Sequence, residues 1–486
     1  MRPATSSAMC LIAVVLLASC TVGDSGVRAV RSDDLQGATL APSGDDVDYE
    51  VTAGVIDFGS GKPERSYDGF LTAVVRDVED FWSAEFPAAF GSPWEPLDGG
   101  VYAGWADRTD LIPACGDAEL TYPAIRSAGA LYCAIGDFIA YDDDDLLPAL
   151  LADLGQEAIG IVIAHEYGHA VQSRAGGLDA PTILKEQQAD CFAGAWAARV
   201  AGGSSDVLRF DDADIRGALI AMIQIRDPLE IGGLANPDAH GTGFDRVGAF
   251  QDGFLGGVEG CVDFLDPSRL GVLVDIPFEP ADPNSGNLPL VDPTGAGSDI
   301  VTLIPASLQD FWSTVTAQAG VTFAPPRFVP FPTDGPYPDC GELDGEELSL
   351  DVTYCPASNT VVWDADMAAA LAADPLTGDL SVGFLFAAAY ADAVQRAVGS
   401  SLVGEARSLT SDCLTGAWVA AIAPPTPRSG SIVLSAGDLD EAVITVISRS
   451  DPATSTDLLG TAFERISAFR AGVLNGLSAC GVSGSD

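Results

Sequence analysis

Apolar and polar positions change rhythm several times along this chain of 486 residues. Residues 11–17 form an unbroken apolar run behind Arg2, and the run ends in Leu17-Ala18-Ser19-Cys20. So short a run does not span a bilayer. With small residues before the cysteine, it predicts a lipoprotein signal over residues 1–20, cleaved so that Cys20 becomes the lipidated N-terminus. Residues 21–65, rich in Gly, Ser, Asp and Ala, carry no sustained period and predict a flexible tether. Beyond them, apolar positions at helical spacing predict helices around 163–172, 185–196 and 382–395, while 138–141 and 361–363 read as short strands. Pro, Gly and Asp crowd residues 266–299 and predict a linker. The pattern is that of an α+β protein with two helix-rich domains, 66–265 and 300–481, each with a small β component, and a short tail, 482–486. No other stretch offers about twenty uninterrupted apolar residues, so the rest of the chain is expected outside the membrane, facing the extracytoplasmic side.

The first helix carries the chemistry. The chain has only three histidines, and two of them stand in His165-Glu166-Tyr167-Gly168-His169. Positions i and i+4 share a helix face, so both rings can reach one ion while Glu166 lies beside it as a base. A catalytic zinc site usually takes a third protein ligand and leaves one position open. Glu186 and Asp190, again i and i+4, supply a candidate ligand and a candidate acceptor for the second ring N–H of a ligand histidine. The last histidine, His240, is a candidate donor to the oxyanion formed when water attacks a carbonyl, with Asp238 or Asp245 to hold its ring. One zinc ion, Zn2+, is expected in the N-terminal domain, and a peptide or protein is the expected substrate.

Three blocks carry a family resemblance: residues 165–172, residues 186–196, and His240-Gly241-Thr242 with Arg246. Tyr132-Cys133 followed by Tyr141-Asp142 fits a fourth block upstream. Over roughly residues 75–265 the chain resembles the bacterial neutral zinc metallopeptidase family. The resemblance implies a gluzincin-like peptidase on a zincin-like fold, with His165, His169 and Glu186 as ligands and Glu166 and His240 as catalytic residues. Asp245 departs from it, because the family more often has an amide there. The competing reading is a lipid-anchored interaction or scaffold protein whose zinc site is structural or vestigial; an intact Glu166 argues against it, since a structural site has no use for an uncoordinated base.

The second half repeats the first. Asp80-Phe81-Trp82 recurs as Asp310-Phe311-Trp312, and Asp190-Cys191 with Gly194-Ala195-Trp196 as Asp412-Cys413 with Gly416-Ala417-Trp418. Gly241-Thr242, Phe244, Arg246 and Cys261 have partners in Gly460-Thr461, Phe463, Arg465 and Cys480 at identical spacing. In the copy, Ala388, Ala389 and Asp392 stand opposite His165, Glu166 and His169; Ser408 stands opposite Glu186 and Leu459 opposite His240. Only Asp412 survives, so this copy is expected to be a metal-free pseudopeptidase, serving either to dock a protein partner or simply to pack on the active copy. Apart from Cys10 and Cys20, four cysteines fall in each copy, and an exported location favours disulfides. The repeat selects Cys115–Cys133 with Cys191–Cys261, mirrored by Cys340–Cys355 with Cys413–Cys480. A formal net charge of −47 excludes nucleic acid as a partner and repels anionic headgroups. The run Asp142-Asp143-Asp144-Asp145 lacks the alternation of an EF-hand and reads as a helix start or a solvated loop.

Overall fold

The computed structural model describes residues 49–117, 119–224, 239–276, 286–341, 351–374, 376–424, 432–450 and 460–481, with residues 226, 234, 236, 278, 343 and 348 between them. The signal with Cys20, most of the tether and the tail 482–486 lie outside the described residues. No described helix is long and apolar enough to cross a membrane.

The first half begins with helix α1 (Asp68–Phe90), which buries Phe70, Leu71, Val74, Val78, Phe81, Trp82 and Phe86 at three- and four-residue intervals. Three short strands follow, β1 (Gly100–Gly104), β2 (Ala130–Cys133) and β3 (Phe138–Asp142), with the short helix α2 (Tyr122–Ala128) between the first two. They form a mixed sheet in the order β1-β3-β2: β1 pairs parallel with β3 in the register Gly100 to Phe138, and β2 pairs antiparallel with it in the register Cys133 to Phe138. As the central strand, β3 is buried at every residue, which accounts for its continuous apolar run. Helices α3 (Leu146–Leu154), α4 (Gln156–Ala175), α5 (Thr182–Ala201), α6 (Asp212–Gln224) and α7 (Gly243–Gly256) complete this half.

The same order recurs downstream as α8 (Ile300–Gln318), β4 (Arg327–Phe331), β5 (Val352–Cys355), β6 (Thr360–Asp364), α9 (Ala365–Ala373), α10 (Gly378–Ala397), α11 (Gly404–Ile422), α12 (Asp438–Arg449) and α13 (Ala462–Asn475). The second sheet has the order β4-β6-β5, with β4 parallel and β5 antiparallel to the central strand. The protein is therefore α+β. Two glycine pairs show how closely the halves correspond. A Cβ on Gly194 would sit 2.0 Å from the Phe250 carbonyl oxygen and one on Gly253 1.8 Å from that of Cys191, so α5 and α7 touch backbone to backbone. A Cβ on Gly416 would sit 2.1 Å from the Phe469 oxygen and one on Gly472 2.0 Å from that of Cys413, so α11 and α13 do the same. Each crossing is fastened by a disulfide, Cys191–Cys261 or Cys413–Cys480, and each sheet by another, Cys115–Cys133 or Cys340–Cys355.

The halves are not separate bodies. One hydrophobic core runs through both, and α7 meets α13 across it: Phe254 lies 4.8 Å from Phe463 and Phe244 6.3 Å from Phe469, between ring centroids. Gln251 donates to the Phe463 carbonyl over 2.8 Å, and Arg226 pairs with Asp440 over 2.9 Å.

Two sequence expectations need correction. The tether does not extend through residues 49–65: Ile56 is buried, Asp57 bridges β1 at Tyr102, and Lys62 and Arg65 both pair with the buried Asp143. The run 142–145 is the helix start that its sequence offered: Asp142 is buried and accepts the backbone N–H groups of Asp144, Asp145 and Leu146 at the start of α3. The linker is partly core: Ile276, Leu288 and Leu290 pack against the hydrophobic cluster, and Asp245 accepts the Val274 N–H.

Candidate metal centre

The centre forms where α4 crosses α5. A Cβ on Gly168 would meet the Ala189 Cα at 2.7 Å, so only glycine lets the two backbones approach so closely there. That contact sets His165 and His169, flanking Gly168, against Glu186 and Asp190, flanking Ala189. Around these residues the two helices also bury apolar side chains, among them Ala164, Tyr167, Ala170, Val171 and Ala193.

Each ring nitrogen has one task. His165 Nδ1 lies 2.7 Å from Asp190 Oδ1, and His169 Nδ1 lies 3.0 Å from Gln172 Oε1. The Gln172 amide is itself fixed, since its Nε2 donates to the Lys185 carbonyl over 2.6 Å. Both Nε2 atoms therefore turn inward to the same carboxylate: His165 Nε2 is 3.2 Å from Glu186 Oε2, and His169 Nε2 is 3.4 Å from Glu186 Oε1. Ligands held about 2.0–2.1 Å from a tetrahedral ion are separated by about 3.3 Å, close to these two separations between ring and carboxylate. All three donor atoms lie within 4.8 Å of one another. Two imidazoles and one carboxylate, with Nδ1–H of each ring tied to an oxygen, match the donor chemistry of a catalytic zinc site.

Asp190 is buried and held from two sides. Arg246 Nε donates to its Oδ2 over 2.9 Å and Nη2 to its Oδ1 over 2.8 Å, while His165 occupies the other approach to Oδ1. Burial raises the carboxyl, but the Arg246 and His165 charges outweigh it and hold Asp190 below the ordinary carboxylate range. For His165 burial works against the charged ring, yet Asp190 and Glu186 push it up to about 10. His169 is raised in the same way, against burial, chiefly by Glu186. The carboxyl of Glu186 goes well down, against burial, because the two rings face it. Glu166, next in line on α4, moves the other way: burial pushes its carboxyl up, partly offset by the two rings and by a hydrogen bond from the Tyr132 backbone N–H. That N–H belongs to β2, the edge strand nearest the centre.

The Ala239–Gly241 segment runs along α5 beside Glu186: Ala239 is buried with Ile183 and Leu184, and Gly241 faces Ile183 and Gln187. The His240 ring is exposed. Asp245 does not serve as its expected holder, because its carboxylate accepts the Thr242 hydroxyl over 3.0 Å and the Val274 N–H over 3.1 Å. Asp238 lies outside the described residues. Sequence reasoning gave no role to Gln172 and no partner to Arg246. The signal was there, since both recur in the copy that lacks the histidines, as Gln395 and Arg465.

At the matching crossing of α10 and α11 the metal donors are replaced by an ion pair. Asp392 pairs with Arg407 from α11 and, over 2.9 Å, with Arg396 one turn on. Arg465 still holds the buried Asp412 by two bonds of 2.8 and 3.1 Å, and Gln395 still donates to a backbone carbonyl, that of Arg407, over 3.0 Å. Its Oε1, which would face a histidine ring in the first half, has no partner. Leu459 is outside the described residues.

A family model described as "Putative neutral zinc metallopeptidase" matches residues 177–264, from the turn before α5 to the end of the segment after α7. The uncharacterized protein Rv2575 of Mycobacterium tuberculosis is 32% identical over 174 residues, which cover 31% of this chain and 59% of that protein. The uncharacterized protein YpfJ of Escherichia coli (strain K12) is 30% identical over 212 residues, 39% of this chain and 68% of its own length. The chain thus spans about three-fifths of the mycobacterial relative. No solved structure matches.

Proposed function

The chain belongs to the neutral zinc metallopeptidase family, and from that premise we propose that it is a peptidase with one catalytic zinc in its first half, tethered by a lipid on Cys20 to the extracytoplasmic face of the membrane. The observation that carries the reading is the trio of His165, His169 and Glu186, with each Nε2 turned to a Glu186 oxygen and all three donor atoms within 4.8 Å of one another. Zinc held there supplies a Lewis acid for the scissile carbonyl and acidifies the attacking water. Glu166 takes the proton from that water on its carboxylate and passes it to the leaving amine. Burial suits it to both tasks by raising its proton affinity toward working pH. Asp190, locked by Arg246, keeps His165 protonated on Nδ1 and so leaves Nε2 for the metal; Gln172 does the same for His169. His240, on the segment that runs along α5 beside Glu186, donates to the oxyanion. The outer edge of β2 offers backbone groups to an extended peptide, next to Glu166.

The second half is the pseudopeptidase of the pair, with Asp392 engaged by two arginines where a ligand would stand. The test combines metal analysis with digestion of an unbiased peptide library. Wild type should carry one zinc per chain and cleave; Glu166→Gln should keep the zinc and lose about 10²–10⁴-fold in rate. Full activity in Glu166→Gln would refute the mechanism.

A further inference from the structure

The second half carries a cluster of charge that the peptidase reading does not use. Asp379 at the start of α10, and Asp438 and Glu441 in the first turn of α12, are all buried, and one carboxylate oxygen of each lies within 4.8 Å of the others. No described lysine or arginine pairs with any of them. The remaining contacts are neutral: Leu288 N–H to Asp379 Oδ2 over 2.9 Å, Leu380 N–H to Glu441 Oε2 over 2.9 Å, Asn287 Nδ2 to Glu441 Oε1 over 3.1 Å, and Ser435 to Asp438 through its N–H to Oδ2 over 2.8 Å and its hydroxyl to Oδ1 over 2.5 Å. Asp379 is 6% exposed, and its Oδ1 has no hydrogen-bond partner. A buried carboxylate oxygen without a donor, as at Asp379, is costly, and three buried carboxylates face to face repel one another in a medium that screens poorly. They need a positive charge.

We propose that Asp379, Asp438 and Glu441 form a calcium site that clamps the segment between the halves onto the second half. Every donor is an oxygen, as a hard cation requires, and bonds of about 2.4 Å let one ion reach atoms up to about 4.8 Å apart. Gly378, at φ +47°, lets Glu441 close on the start of α10, since a Cβ there would sit 2.0 Å from Glu441 Oε1. Asn287 and Leu288, which bond to Glu441 and Asp379, belong to the chain that joins the halves, while the neighbouring Asp440 accepts the Phe244 N–H of the first half over 2.7 Å. An ion here therefore fixes a junction rather than a reaction. The start of α6 in the first half carries Asp211, Asp212 and Asp214, but no three carboxylates close enough to share one ion are found there among the described residues.

The experiment uses the full chain in about 0.15 M salt, where diffuse binding to so acidic a surface is screened. Calcium binding is measured by equilibrium dialysis and melting temperature is followed as calcium or magnesium is added. Wild type should bind one calcium per chain and melt about 3–5 °C higher once calcium exceeds its dissociation constant about a hundredfold, with magnesium giving a smaller shift. Asp379→Asn with Glu441→Gln should abolish both the binding and the shift while zinc content stays unchanged. Should that pair fail to fold, Glu441→Gln alone should weaken calcium binding at least tenfold. A wild-type melt that ignores calcium overturns the proposal and means that protons neutralise the cluster; calcium binding that survives in the variants overturns it by placing the ion elsewhere.

Discussion

The crossing of α4 on α5 and the crossing of α10 on α11 share a skeleton and differ in what they hold. Both have a buried Asp–Arg pair, Asp190–Arg246 in one and Asp412–Arg465 in the other, and both have a glutamine donating to a carbonyl of the facing helix. Only the first adds two imidazoles, a facing carboxylate and a base. The comparison separates two layers of the site. The Asp–Arg pair and the glutamine persist where the two histidines and the facing glutamate are replaced, so they are part of how the crossing folds. The donors project from that frame and can be removed without dismantling it. The second crossing shows one outcome of removal, a salt bridge between Asp392 and Arg407 in place of the ligands.

The largest expected effect comes from turning the first crossing into the second. His165→Ala, His169→Asp and Glu186→Ser together should take zinc from one per chain to none and abolish cleavage. The melt should remain cooperative, because the second half folds with those residues at those positions and Lys185, in place of Arg407, is available to His169→Asp. Loss of folding in the triple variant would show that the metal, not the helix crossing, organises the first half.

Next in size is a matched pair, Arg246→Met and Arg465→Met. Each leaves a buried carboxylate without its partner, a change that costs about 3–5 kcal/mol in comparable buried pairs, so both should lower stability to a similar degree in denaturant titrations. Only Arg246→Met should also weaken zinc binding, by about 10–100-fold, since Asp190 then loses the fixed position that orients His165. Equal zinc affinity in the two variants would show that Arg246 does no more than Arg465 does.

What the sequence made legible follows from how local each signal is. His165 to His169 and Glu186 to Asp190 are single-turn spacings, so their shared faces could be read directly, and the repeat paired the cysteines because four positions recur in register. The Arg246–Asp190 contact spans 56 residues and has no periodicity to betray it. Lys62 and Arg65 lie about eighty residues before Asp143 in sequence, so a stretch with tether-like composition gave no sign that it neutralises a buried aspartate. Composition misled again at 266–299, where Pro and Gly predicted solvent while Ile276, Leu288 and Leu290 reach the core. The apolar contact of α7 with α13 was hidden for another reason: Phe244, Phe254, Phe463 and Phe469 fit an ordinary amphipathic helix, and nothing in a helix pattern says which surface it will meet.

The smallest expected effect tests the residue in which the chain departs from the family it resembles. Asp245 and Glu464 occupy matching places at the starts of α7 and α13. Glu464 closes a capping box with Thr461, accepting that residue's own N–H over 2.8 Å. Asp245 is shorter and instead accepts the Thr242 hydroxyl and the Val274 N–H. Burial pushes its carboxyl up to about 7, despite those hydrogen bonds. Its ordinary value in an unfolded chain is about 3.9, so between about pH 4 and 7 the folded state holds a proton that the unfolded state releases. Stability from this group is therefore complete below about pH 4 and declines as pH rises through about 7, at up to about 1.4 kcal/mol per pH unit inside the window. Asp245→Asn carries no such proton. Its melting temperature should fall less steeply than wild type's between pH 5 and 7, and it should gain on wild type as pH rises. Parallel pH profiles for wild type and Asp245→Asn would mean that Asp245 is ionised in the folded protein.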